Sequence, residues 1–64
     1  MRKWVFVTKW QTRGELHGMV QNERTTVIDS PDELSAMQVY CRMVWVQNID
    51  YAEFVSLTIT LGGE

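Results

Sequence analysis

The sequence has one cysteine, one histidine and one proline in 64 residues. A single thiol excludes an internal disulfide and a cysteine-rich zinc site, and a single imidazole excludes a metal site built from several histidines. No apolar run approaches the roughly 18–20 residues that span a bilayer as a helix. No basic segment leads into an apolar core of the secretory type. Glycine is sparse, and Gly14, Gly18, Gly62 and Gly63 compose no phosphate-cradling loop, no GxGxxG and no GxSxG. There is no internal repeat, no low-complexity tract and no Asn-x-Ser/Thr acceptor.

Apolar residues are plentiful. They make up 45% of the chain against 22% charged, which is the composition of a folded globular domain rather than a disordered segment. The length allows one domain, residues 1–64, and Met1 at the start leads us to expect a complete chain. A domain this small buries only about 60% of the surface its extended chain exposes, and no disulfide staples it. Three Trp, two Phe, two Tyr and four Met are a heavy apolar load for such a chain, so a homodimer is expected.

Residues 2–11 read as a strand with apolar side chains on both sides: Trp4, Phe6 and Trp10 on one, Val5 and Val7 on the other. Thr12–Glu15 reads as a turn, Leu16–Gln21 as the return strand, Asn22–Arg24 as a second turn and Thr25–Asp29 as a short third strand. Ser30 and Glu33 have capping-box spacing with Pro31 between them, which predicts a helix start. Leu34, Met37, Cys41 and Val44, widened by Tyr40, form the predicted buried stripe of that helix. Val39–Val46 is also rich in β-branched and aromatic residues; we favour helix to about residue 46, with Asn48 as its C-cap. Tyr51–Leu61 alternates strictly, placing Val55, Leu57, Ile59 and Leu61 toward the helix and Phe54, Ser56, Thr58 and Thr60 away from it. Gly62–Glu64 reads as a frayed end.

The expected fold is therefore α+β: a small antiparallel sheet, in the order β-β-β-α-β along the chain, with one helix on one face. The other sheet face, carrying Val5, Val7 and Phe54, would be left for a second subunit or another protein to cover.

Charge is unevenly placed. Arg2, Lys3, Lys9 and Arg13 give the first 13 residues a net +4, and Arg24 and Arg42 stand against eight acids in the rest. Arg2, Lys3, Trp4, Lys9, Trp10 and Arg13 thus form a candidate single-stranded nucleic-acid stripe, through phosphate neutralisation and base stacking. The plainer reading is core aromatics flanked by solvated lysines, because Lys3 and Lys9 alternate with the aromatics, and the acidic remainder opposes a polyanion. The acids, including Asp32 and Glu33 at the helix start, read chiefly as capping and solubilising groups.

His17 and Cys41 offer one conceivable base–nucleophile pair. Cys41 lies on the predicted buried stripe, where a thiol is usually an inert small hydrophobe. No enzyme activity, cofactor or metal is expected. Met37, Met43, Tyr40 and Trp45 give the helix an adaptable apolar surface of the kind found at protein contacts.

The leading expectation is a small cytoplasmic protein, away from membranes, that docks on another intracellular protein as an inhibitor or adaptor. Trp45, Trp10, Phe54 and Met43 would be its anchors, and Asp50 and Glu53 its steering acids at the rim. Phages and mobile elements encode many such short proteins, so an anti-host or anti-defence inhibitor is the specific form. The alternatives are the nucleic-acid binder above and a structural assembly subunit that uses its edge strands.

Overall fold

The computed structural model of the chain describes residues 1–14 and 18–62. Two long strands, β1 (Arg2–Gly14) and β2 (Gly18–Ser30), form an antiparallel hairpin, and β3 (Phe54–Leu61) pairs antiparallel with the other side of β1. The sheet order is β2-β1-β3. Between β2 and β3 the chain makes helix α1 (Glu33–Cys41), a short helix α2 (Val44–Gln47) and a 3₁₀ turn (Tyr51–Glu53). The class is α+β as expected, with three strands among the described residues where the sequence pattern suggested four.

The missing break lies at Asn22–Arg24, which is continuous strand rather than turn. Each of these polar residues finds a partner across the hairpin or above it. The Asn22 side-chain amide donates to Thr12 Oγ1 at 3.1 Å, Glu23 lies 3.7 Å from Lys9 Nζ, and Arg24 covers the Trp45 ring. Thr12–Gly14 likewise continues β1. Glu15, and the start of the expected return strand at Leu16 and His17, lie outside the described residues, as do Gly63 and Glu64.

β3 meets β1 only from Trp4 to Trp10. Beyond that point residues 11–14 and 18–21 run on as a two-stranded ribbon, and the molecule measures 44 × 21 × 13 Å. Gly14 and Gly18 face each other near the end of this ribbon. A Cβ on Gly14 would stand 2.9 Å from the Gly18 carbonyl oxygen, and Gly18 has φ +79°, so both positions favour glycine for steric reasons.

The helix starts two residues later than the capping-box spacing suggests. Asp32 is the N-cap, its carboxylate accepting the Ser35 amide at 2.7 Å. Ser30 is the buried last residue of β2, and its hydroxyl donates to the Asp32 carbonyl at 3.0 Å. The ordinary single helix to residue 46 is also broken. Arg42 and Met43 donate to Val39 and Tyr40 through tight i−3 bonds, Met43 is extended (ψ 133°), and α2 begins afresh at Val44. Asn48 is the C-cap expected of it, but on α2.

The core lies between one sheet face and the helices. Phe6, Ile28, Ala36 and Tyr40 are its buried apolar residues, with Trp4, Met37, Met43, Trp45, Val46, Leu57 and Ile59 packed around them. Phe6 and Tyr40 stack face to face, centroids 4.7 Å apart. Of the predicted stripe the helix buries Tyr40 and packs Met37 on the core, but it buries Ala36 in place of Leu34, Cys41 and Val44, which are exposed. Ala36 lets the helix approach the sheet closely, and Tyr40 reaches through to the buried hydroxyl of Thr8, 2.6 Å away. That contact fixes the rotation of α1.

The last strand is shorter than its pattern. Tyr51–Glu53 forms the 3₁₀ turn, capped by the Asp50 carboxylate accepting from the Ala52 amide at 3.0 Å. The β1–β3 register then slips once: Lys9 pairs with Ser56 and Trp10 with Phe54, leaving Val55 as a bulge. Leu57 and Ile59 face the helices as predicted, but the bulge turns Phe54 to the helix side as well. The open face of the sheet thus holds Val5, Val7 and Val27 with Thr25, Thr58 and Thr60, and not Phe54. It is bounded by the ion pairs Lys3–Asp29 and Lys9–Glu23.

Candidate functional site

The helix side of the sheet ends in an aromatic cluster assembled from three elements. Trp10 comes from β1, Trp45 from α2 and Phe54 from the start of β3. Trp10 and Trp45 lie with centroids 5.9 Å apart, and Trp45 meets the edge of Tyr40 at the same distance with the rings at 89°. The guanidinium of Arg24, on β2, sits 4.5 Å from the Trp45 ring centroid. The break at Met43 is what delivers Trp45 to this place. On a continuous helix Trp45 would fall well round from Tyr40; the restart of α2 brings the two into contact.

Two depressions open beside the cluster. A cavity of about 260 Å³ is lined by Trp10, Trp45, Arg24, Thr12, Asn48, Ile49 and Glu53. An apolar groove of about 500 Å³ runs between the helices and β3, walled by Met37, Tyr40, Cys41, Val46, Tyr51, Phe54, Val55, Ser56 and Leu57. The two adjoin: Trp45 lines one and Val46 the other, Glu53 one and Phe54 the other. Tyr51 stands at the groove mouth, 92% exposed.

Of the residues expected to contact a partner, Trp10, Trp45, Phe54 and Glu53 therefore come together. Met43 is half-buried and packs on the core, and Asp50 is exposed and spent on capping its own turn. Arg24 and Tyr51 belong to the site and were missed. Arg24 sits in a stretch that reads as a turn, so nothing local placed it over a tryptophan; Tyr51 reads as strand. Away from this site, the bonds from the Ser35 amide and side chain hold the Asp32 pKa below the usual aspartate value.

The basic aromatic stripe is not assembled. Trp4 and Trp10 face the helices, the Trp4 indole donating to the Ser30 carbonyl at 3.2 Å. Lys3 and Lys9 point from the opposite face, each 3.7 Å from an acid on β2. Arg2 and Arg13 are exposed near opposite ends of β1. Cys41 is exposed, against expectation, and its suggested partner His17 lies outside the described residues. Among the described residues no three His, Cys, Asp or Glu side chains converge as a metal site, and no helix is long and apolar enough to cross a membrane.

No family model matches the chain, and no curated protein or solved structure matches it.

Proposed function

We propose that this chain is a non-enzymatic protein-binding module of the cytoplasm, acting as a homodimer that docks on another protein as an inhibitor or adaptor. The observation that supports it is the convergence of Trp10, Trp45 and Phe54 from three separate elements beside an open cavity and an apolar groove. Aromatic side chains that become fully desolvated on binding are where protein interfaces concentrate their energy. Glu53 at the rim suits a partner with basic side chains, and Arg24 over Trp45 already shows the cation–aromatic contact such a partner could extend. An anti-host or anti-defence inhibitor from a phage or mobile element is the specific form, resting on size and simplicity rather than on any one residue.

The test is capture from host lysate with tagged wild-type protein and with Glu53→Lys and Tyr51→Ala; Tyr51 is exposed and Glu53 half-buried at the rim, and neither belongs to the buried core. A stoichiometric protein that survives nuclease and is lost or weakened with the variants supports the reading. Capture unaffected by both variants, or recovery of nucleic acid alone, overturns it.

A further inference from the structure

β3 is an edge strand with little protection. Its sequence, Phe54–Leu61, carries no charge, no proline and no glycine, whereas the opposite edge strand β2 carries Glu23, Arg24 and Asp29. Natural sheets blunt open edges with charges, prolines or bulges, and β3 has only the bulge at Val55. The direction of its free backbone groups is settled by one bond. The Gly62 amide donates to the Lys3 carbonyl at 2.7 Å, so in the antiparallel alternation Ser56, Thr58 and Thr60 turn their N–H and C=O groups to β1. Leu57, Ile59 and Leu61 turn theirs outward, to the open edge.

We propose that β3 pairs with β3 of a second copy, antiparallel about a two-fold axis at Thr58, joining two three-stranded sheets into one continuous sheet. In this register Leu57 lies opposite Ile59 of the second copy and exchanges both backbone bonds with it. Val55 lies opposite Leu61, Ser56 opposite Thr60, and Thr58 opposite its own copy. Every pair matches apolar with apolar or hydroxyl with hydroxyl, the combinations that stabilise cross-strand contacts, and no charge opposes another. Val55 and Leu61, both half-exposed in the single chain, are covered. A chain whose buried apolar core is Phe6, Ile28, Ala36 and Tyr40 has reason to gain such cover. The inference rests on the self-association proposed above and names the surface that makes it.

Sedimentation of the full chain, together with residue-resolved amide exchange, tests both parts separately. The expected mass is twice the 7.5 kDa of the chain, with the Leu57 and Ile59 amides protected as well as those of Thr58 and Thr60. Thr58→Lys places two like charges across the axis and weakens the dimer by about five-fold or more, and mixing it with Thr58→Glu restores association. A dimer whose Leu57 and Ile59 amides exchange freely overturns the edge pairing while leaving self-association standing. A monomer at all concentrations overturns both, and a defined mass beyond the dimer favours an assembly subunit instead.

Discussion

Thr8 Oγ1 and Tyr40 OH stand 2.6 Å apart in the interior, and among the described residues each is the other's one side-chain hydrogen-bond partner. The bond joins the central strand to α1. Tyr40→Phe would leave the Thr8 hydroxyl buried without that partner and should destabilise by about 1–3 kcal/mol. Thr8→Val in the same background should recover much of the loss, because both polar groups are then gone. A double-mutant cycle by urea unfolding checks this; additive losses would show that the hydroxyls do not act as a pair.

Trp45 holds α2 against the sheet while presenting part of its surface to the cavity. Trp45→Ala should cost about 2 kcal/mol, below the range for a fully buried tryptophan because Trp45 is half-buried. Removing the cation alone, with Arg24→Gln, should cost about 0.5–1 kcal/mol. Urea midpoints separate the two, and equal losses would mean that the ring contributes only through Arg24.

Asp32 caps α1 with a carboxylate whose pKa is lowered by the Ser35 bonds. A group with a depressed folded pKa contributes stability above its unfolded pKa, near 3.9. That contribution is lost as pH falls through the folded value. Acid unfolding of the wild type should therefore include a step in this range that Asp32→Asn, which keeps a capping oxygen, lacks. Identical acid profiles would remove the cap from the account.

Gly18 has a positive φ that a side chain tolerates poorly, so Gly18→Ala should destabilise by about 1 kcal/mol although open space surrounds the position. Gly14→Ala meets backbone instead and should lower the thermal midpoint by a clash. A neutral Gly14→Ala would mean that the ribbon shifts freely.

Because Lys3 and Lys9 project from the face opposite Trp4 and Trp10, adding oligothymidylate at low salt should leave tryptophan fluorescence unchanged. A quench that weakens steeply with salt would restore the nucleic-acid reading.

The alternation of Leu57 and Ile59 was legible because a period of two needs only local sequence. Phe54 was not, because one bulged residue reverses the face of everything before it, and a bulge depends on the partner strand. Among the site residues, the chemistry of Trp10, Trp45, Phe54 and Glu53 marks them in the sequence, and the broken helix and the bulge bring them to one place. Arg24 reads as part of a turn because three polar residues in a row resemble one until a facing strand supplies their partners.

The sequence by itself determined the class of fold, the hairpin, the approximate helix start and the alternation of the last strand. These follow from side-chain period, capping chemistry and steric preference, all of which act within a few residues. Only the tertiary structure decided how many strands there are, which side of α1 is buried, where the helix breaks and which aromatics meet. Those outcomes depend on partners distant in the chain: Thr8 chooses the face of Tyr40, Lys9 and Trp45 keep Glu23 and Arg24 in strand, and β1 sets the register of β3.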